Sequence, residues 1–269
     1  MYPILFEIGP VQIGSYGVMV ALAFISGFLV VNREFRKNGC DVDLAWDLHL
    51  LAILGGMVGS RILHIIENFA QFKADPSAMI FSTTGFSVLG GYVLALALCI
   101  IRLRYAKQPF FKTADMYTPG LAFGYSIGRL GCITAGDGCY GLPTNVPWAM
   151  SFPNGIVSTL SSRNPQLVDA YTRVFPNSDI PVDIFVHPTP LYESLSSLIL
   201  FAFLMYITWK IGTGRRFSFF LIWFGISRFL VEFIRLNPFA YAGFTSSQII
   251  SIFFIIAGSI LMFLPINTK

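Results

Sequence analysis

Charged residues are scarce in this sequence. They make up 12% of the 269 residues, whereas 55% are hydrophobic. A chain with so little charge is not intrinsically disordered, and it has no basic tail of the kind that binds nucleic acid. Its mean hydropathy of +0.67 and its 27 phenylalanines instead indicate an all-α integral membrane protein, whose partners include membrane lipids but no nucleic acid.

Cysteine is also rare, with four residues and no Cys-x-x-Cys pair. Such spacing does not match a disulfide framework or a zinc cluster, so the sequence predicts neither a metal nor a cofactor. The segment before the first apolar run contains Glu7 but no lysine or arginine, unlike the basic region of a cleaved signal peptide. We therefore expect the first helix to be retained.

Long apolar runs, in contrast, are plentiful. A helix needs about 20 apolar residues to cross the hydrocarbon layer of a membrane. Seven runs meet this requirement, and we expect one membrane domain spanning 1–269. The runs are 13–32, 45–66, 78–101, 116–134, 189–210, 217–236 and 246–265.

Basic residues are distributed unevenly between the two sides that seven spans would create. Eleven lie on one side: Arg33, Arg36, Lys37, Arg102, Arg104, Lys107, Lys112, Lys210, Arg215, Arg216 and Lys269. Four lie on the other: Lys73, Arg163, Arg173 and Arg235. Because cytoplasmic loops are enriched in lysine and arginine, we predict an N-terminus outside the cell and a cytoplasmic C-terminus.

One connection differs from the others. Residues 135–188 are rich in proline, asparagine, serine and aspartate and are too polar to enter lipid. We expect them to form a small head on the outer side. On the second run, Gly55 and Gly59 have the spacing of a close contact between two membrane helices.

Several ionisable residues lie within the apolar runs. Each costs a few kcal/mol near the membrane centre and persists there only with a partner or a function. With helix direction taken into account, all fall in the outer half of the membrane: Arg61, Arg129, Arg228, Glu232 and Glu193, with Tyr192 beside the last. Tyr16 and Ser87 approach from the same face.

Any one of these arginines could simply be a paired side chain that fixes helix packing. Arg228, Glu232 and Arg235 are spaced four and three apart, so they can form ion pairs on one helix face. Arg61, Arg129 and Arg228, however, come from three helices and reach one depth. Guanidinium groups bind phosphate through two parallel hydrogen bonds, so an anionic phospholipid headgroup is the expected ligand.

The segment from Gly128 to Gly141, GRLGCITAGDGCYG, resembles the signature region of prolipoprotein diacylglyceryl transferases. Further matching segments occur in the same order along the chain. They are Tyr16-Gly17, Gly59-Ser60-Arg61, Gly90-Gly91, Asp115, His187 to Glu193 and Arg228 to Arg235. The resemblance covers nearly the whole sequence.

This resemblance implies transfer of the diacylglyceryl group of phosphatidylglycerol to the lipobox cysteine of a preprolipoprotein signal peptide, in a bacterial cytoplasmic (inner) membrane. It implies that Arg129 holds the phosphate and that Arg228, oriented by Glu232, shares this task. Asp137 is the candidate base for the acceptor thiol. The substrate-binding residues carried over are Tyr16, Arg61, Ser87, Gly90, Gly91, Cys132, Gly141, Tyr192 and Glu193.

The sequence departs from the family pattern at several positions. Leu89 stands where the family has a histidine before Gly90-Gly91, and Phe224 stands where it has a tyrosine. The signature lacks both family asparagines, and Asp137 replaces a glutamate. Asp137 could instead only form the turn between its two neighbouring glycines. Cys132 and Cys139 could form a disulfide or remain small buried residues.

Two other functions are compatible with parts of this pattern. A divergent relative could bind phospholipid, or modify another acceptor, without transferase activity, since the arginines are retained and the helix-3 histidine is not. A transporter or flippase would need ionisable residues near the midplane and broken helices in two halves. The charges here cluster at one depth, which disfavours a transporter.

Overall fold

The computed structural model describes residues 2–9, 11–81, 87–207, 212–238 and 240–265, and these are mostly helical. The strands are β1 (Ile4–Ile8) and β2 (Val11–Gly14). The helices are α1 (Ser15–Lys37), α2 (Val42–Glu67), α3 (Phe69–Ala74), α4 (Pro76–Phe81), α5 (Val88–Tyr105), α6 (Phe110–Ala135), α7 (Pro165–Val174), α8 (Thr189–Tyr206), α9 (Arg215–Glu232) and α10 (Ser246–Phe263).

Each of the seven apolar runs overlaps a helix of 18 to 26 residues, and these helices are α1, α2, α5, α6, α8, α9 and α10. Among the described residues, α1, α2, α8 and α10 are long and apolar enough to cross a membrane. These four helices support the prediction of a helical membrane protein. The count of seven spans and their orientation stay predictions.

The N-terminal hairpin was not predicted from the sequence. β1 and β2 pair antiparallel, with Phe6 opposite Ile13 and Glu7 opposite Gln12. Gly9, which has a φ of +61°, lies between the two strands. Glycine adopts this left-handed conformation without the steric penalty of a side chain, so it suits a tight reversal.

Several helix ends differ from the apolar runs. The third run, predicted from residue 78, is divided between α4 and α5, because the extended backbone of Ser87 precedes the helix that begins at Val88. α5 then continues to Tyr105, beyond the predicted end. α9 ends at Glu232 rather than at 236, so Arg235 lies just after the helix. Hydrophobicity alone did not locate these ends.

The described chain divides into two compact units, with boundaries inside α1 and α6. In the unit from Val31 to Thr113, α2 packs on α5 through glycines. A Cβ atom on Gly55 would lie 2.6 Å from Ala95 Cα, and one on Gly59 would overlap the Gly90 carbonyl oxygen. This close approach confirms the helix contact predicted from Gly55 and Gly59.

The other unit runs to Val30 and resumes at Ala114. In it, α6 and α8 are joined by serine hydroxyls: Ser194 donates to the Ser126 carbonyl at 2.9 Å, and Ser197 donates to the Ala122 carbonyl at 2.8 Å. The buried Asp115 carboxylate accepts from the backbone amide of Phe217 at 2.8 Å, near the start of α9. These bonds fix the helices that carry the ionisable residues.

The polar segment between α6 and α8 is a folded head. Its core consists of Tyr140, Phe152, Leu167, Ile184 and Val186. The backbone of Val186 pairs with that of Met150. The segment also contains α7, which is capped at its N-terminus by Asn164. The head is therefore ordered around an apolar centre, while its location outside the membrane stays a prediction.

Candidate active site

Glu193, on the first turns of α8, is the central carboxylate of a buried ionic cluster. Glu193 is 2% exposed, and its Oε1 atom lies 2.7 Å from Arg228 Nη1 and 3.2 Å from Arg129 Nη2. The Tyr125 hydroxyl donates to the same oxygen at 2.9 Å. Its other oxygen, Oε2, lies 3.6 Å from Arg235 Nη1. One carboxylate thus contacts three guanidinium groups.

A second carboxylate, Glu232, completes the arrangement. Its Oε2 atom lies 3.0 Å from Arg228 Nη2 and 3.9 Å from Arg235 Nε. Its Oε1 atom accepts hydrogen bonds from Asn237 at 2.6 Å and from Thr245 at 2.9 Å. Glu232 is thereby fixed in position, and it holds Arg228 from the α9 side, as predicted from their spacing.

We call Arg129, Glu193, Arg228, Glu232 and Arg235 the arginine–glutamate cluster. Three guanidinium groups and two carboxylates leave one positive charge uncompensated among these five side chains. A buried charge is costly unless it is paired. Arg235 Nη1 and Nε are close to the carboxylates, but among the described residues neither atom donates a hydrogen bond. This excess of donors and positive charge suits an anion.

Arg129 is held in position by its own helix. Tyr125 lies four residues earlier, and its hydroxyl accepts a hydrogen bond from Arg129 Nε at 2.9 Å. The guanidinium also lies 5.0 Å from the centre of the Tyr125 ring. Tyr125 was not predicted from the sequence, although a tyrosine one helical turn before a buried arginine is a recognisable signal.

The end of α6 and the loop after it bring two further predicted site residues, Cys132 and Asp137, together with Cys139. One potential ligand atom from each of Cys132, Asp137 and Cys139 lies within 4.8 Å of the other two. Cys132 Sγ also accepts from Arg129 Nη1 at 3.8 Å. Interaction with the neighbouring Cys132 thiol lowers the pKa of Cys139 to about 7. Both are free thiols here.

Asp137 takes part in the turn between its two neighbouring glycines, which is the structural role considered as the alternative to a catalytic one. Its Oδ1 atom accepts from the backbone amide of Cys139 at 3.1 Å. Gly136 and Gly138 flank it with φ values of +61° and +84°. The turn does not exclude chemistry, since one carboxylate oxygen suffices for that hydrogen bond.

Two other predicted residues, Tyr16 and Gly141, pack near the end of α6 and the loop that follows it. The Tyr16 ring would lie 3.4 Å from a Cβ atom on Gly131, beside Cys132. Gly141 donates its amide to the His187 carbonyl at 2.8 Å, and a Cβ atom there would overlap the Ile234 carbonyl. Gly141 therefore joins the head to the residues that follow α9.

Tyr192 connects α8 to the head. Its hydroxyl accepts from Trp148 Nε1 at 2.7 Å and lies 3.2 Å from His187 Nδ1. Burial lowers the pKa of His187 below its ordinary value. In this environment Tyr192 is positioned by side chains of the head.

The remaining predicted residues lie in the other unit. Arg61 donates from Nη1 to the Met79 carbonyl at 3.1 Å, and Ser87 donates to Glu67 at 3.3 Å. A Cβ atom on Gly91 would lie 2.8 Å from the Gly56 carbonyl, so Gly91, like Gly90, allows α2 and α5 to pack closely. Their roles in substrate binding stay predictions.

A small cleft opens beside Arg228. It is lined by Tyr125, Glu193, Ser196, Ser197, Leu200, Trp223, Phe224, Ser227 and Arg228. Trp223 Nε1 donates to Ser196 at 3.1 Å, and Arg228 Nη2 donates to Ser247 at 3.0 Å. The cleft therefore combines a cation, hydroxyl groups and apolar walls.

A family model for prolipoprotein diacylglyceryl transferase matches residues 3–264. The chain belongs to this family. A similar protein from Escherichia coli O1:K1 / APEC, named phosphatidylglycerol--prolipoprotein diacylglyceryl transferase, is 33% identical over 276 residues, covering 97% of this chain and 91% of the relative.

Two clostridial relatives of the family are similar over comparable lengths. The phosphatidylglycerol--prolipoprotein diacylglyceryl transferase of Clostridium tetani (strain Massachusetts / E88) is 29% identical over 260 residues, covering 96% of this chain and 95% of the relative. The protein named as transferase 2 of Clostridium perfringens (strain 13 / Type A) is 31% identical over 265 residues, covering 96% and 93%. Membership therefore extends over the helices, the head and the arginine–glutamate cluster.

Proposed function

We propose that this protein transfers the diacylglyceryl group of phosphatidylglycerol to the lipobox cysteine thiol of a preprolipoprotein and releases glycerol phosphate. The observation that carries the proposal is the arginine–glutamate cluster, in which three guanidinium groups meet two carboxylates beside a loop with two thiols and Asp137. Family membership supplies the substrates, and the cluster supplies the chemistry that they require.

The phosphate of phosphatidylglycerol binds at Arg129 and Arg228 in this account. Glu193 holds both guanidinium groups in fixed positions, so little reorganisation is needed when an anion arrives. As the bond between the glyceryl carbon and the phosphate oxygen breaks, negative charge gathers on the phosphate. Arginines that are already oriented stabilise this charge more in the transition state than in the ground state.

The acceptor sulfur reacts as a thiolate, because the neutral thiol is a weak nucleophile. We assign its activation to the loop that carries Asp137, since Cys132 Sγ lies 3.8 Å from Arg129 Nη1. An acceptor bound at this loop is therefore close to the phosphate-binding arginine. Proximity of the two substrates contributes to catalysis in addition to charge stabilisation.

The membrane arrangement belongs to the same proposal. We place the protein in the bacterial cytoplasmic membrane as a multi-pass protein with seven spans, the head outside and the C-terminus in the cytoplasm. The asymmetry of lysine and arginine supports this orientation. The outer half of the membrane then holds the cluster, where it is accessible to phosphatidylglycerol and to the signal peptide.

Asp137→Asn tests the proposal and separates it from the alternative of a lipid-binding relative. The variant leaves Arg129 and Arg228 intact, so we expect unchanged binding to phosphatidylglycerol vesicles and loss of transfer to a lipobox peptide. Asp169→Asn, an exposed change on α7, is the matched control and should keep both properties. Full transfer by Asp137→Asn would remove Asp137 from the mechanism. Binding without transfer in the wild type would favour the alternative.

A further inference from the structure

The group formed by Cys132, Asp137 and Cys139 has the chemistry of a metal site. The sequence predicts no metal, because its four cysteines include no Cys-x-x-Cys pair. In the folded chain, however, Cys132 and Cys139 lie close together. Left-handed Gly136 and Gly138 reverse the chain after α6, so that Cys139 returns to Cys132. A Cβ atom on Gly136 would lie 2.6 Å from Gly155 Cα, so the turn requires glycine there.

The geometry of this group fits zinc. Bonds of about 2.0–2.3 Å from zinc to oxygen and sulfur keep the ligand atoms around one ion within roughly 4.6 Å of one another. One ligand atom from each of the three residues lies within 4.8 Å of the other two, close to that limit. Asp137 Oδ1 is oriented by the Cys139 amide, which leaves Oδ2 for an ion. Thiolate and carboxylate ligands together favour zinc over magnesium or calcium.

The number of ligands indicates a reactive site rather than a structural one. Structural zinc sites have four protein ligands, whereas catalytic sites have three and keep one position for a reactant. Two thiolates and one carboxylate around a divalent cation carry a net charge of −1. Arg129 Nη1, 3.8 Å from Cys132 Sγ, balances this charge and connects the group to the arginine–glutamate cluster.

We propose that Cys132, Asp137 and Cys139 hold a zinc ion whose fourth position takes the acceptor thiolate. This inference rests on the proposed function and specifies how Asp137 activates the acceptor. Zinc deprotonates a coordinating thiol, so the site needs no basic side chain in place of the family histidine, where this chain has Leu89.

The chemical step balances without an oxidant. The acceptor thiol loses its proton to water as its sulfur binds zinc. A lone pair of that sulfur then forms the bond to the glyceryl carbon, and the electron pair of the broken carbon–oxygen bond goes to the phosphate oxygen. The products are a thioether and glycerol phosphate, and zinc keeps its charge of 2+ throughout.

Metal binding is tested first without either substrate. The full chain, purified in detergent without chelators and equilibrated with buffered Zn²⁺, should hold about one zinc per chain by elemental analysis. Cobalt substitution should give thiolate-to-cobalt absorption bands. Cys139→Ser and Asp137→Asn should each weaken zinc binding at least about tenfold. Cys40→Ser, at the end of the turn after α1, is the matched control and should bind zinc like the wild type.

The outcomes distinguish this inference from the proposed function. Equal zinc binding by the wild type and by Cys132→Ser/Cys139→Ser, or a Cys132–Cys139 disulfide in the purified protein, would overturn the metal site. Transfer that persists after a chelator has removed all zinc would also overturn it, while leaving the proposed function intact. Zinc bound at the site without transfer by the wild type would instead count against the function.

Discussion

At the scale of single residues, Glu193 has the largest influence on the site. It is buried at the start of α8 and contacts guanidinium groups from α6, from α9 and from the segment after α9. Removing one partner from such a cluster leaves the others as uncompensated buried charges. The effect of a substitution here therefore depends on which partner remains as well as on which contact is lost.

Arg129→Lys tests the phosphate-binding role of a single residue. Lysine keeps the positive charge but cannot make the contacts of Nε with Tyr125 and of Nη2 with Glu193 at the same time. We expect kcat/KM for diacylglyceryl transfer to fall at least about tenfold, with the fold retained. Arg173→Lys, on the exposed side of α7, is the control. Activity equal to the wild type would leave Arg129 as a packing residue.

The sequence identified most members of the cluster but not their arrangement. Arg129, Arg228 and Glu232 were expected to act together, and they do lie in one cluster. The shared role of Glu193 could not be predicted, because contacts across helices depend on the rotation of each helix about its axis. The sequence also left open whether Cys132 and Cys139 form a disulfide, and both are free thiols. Their approach depends on the turn at Gly136 and Gly138.

At the scale of helices and strands, apolar runs located the long helices and left their ends uncertain. The sequence did not predict β1 and β2, since two short strands flanking a Gly-Pro pair have little periodicity to detect. Ends such as Glu232 and Val88 are set by local backbone hydrogen bonds, which a hydropathy window does not measure. Glycine spacing, in contrast, predicted the packing of α2 on another helix.

Gly59→Ala tests that helix contact. A methyl group on Gly59 would overlap the Gly90 carbonyl oxygen and approach Leu94, so we expect the free energy of unfolding to fall by about 1–3 kcal/mol. Gly56→Ala is a matched control on the same helix, because a Cβ atom there meets no atom within 4 Å. Both changes raise helix propensity alike. Equal thermal unfolding midpoints in detergent would contradict the packing role.

At the scale of the whole molecule, the proposed reaction requires one orientation of the protein in the membrane. The arginine–glutamate cluster and the head must face the side from which the signal peptide is presented. The distribution of lysine and arginine predicts that side independently of the site. The side predicted from lysine and arginine and the side required by the reaction are therefore two independent predictions, and they must be the same side.

Reporter fusions test the orientation. A reporter joined after residue 160, in the head, should be active outside the cytoplasm. Reporters joined after residues 36, 108 and 213 should be active inside it. A cytoplasmic position for residue 160 would place the head on the wrong side for the proposed reaction and would overturn the seven-span arrangement.

The central claim is the transfer itself. The purified protein, reconstituted in vesicles containing phosphatidylglycerol, is mixed with a peptide that carries a lipobox cysteine, and the peptide mass is measured. We predict a mass increase equal to one diacylglyceryl group on the cysteine, with equimolar release of glycerol phosphate, and no change in vesicles of phosphatidylethanolamine alone. An unmodified peptide, despite intact binding of phosphatidylglycerol by the protein, would contradict the account.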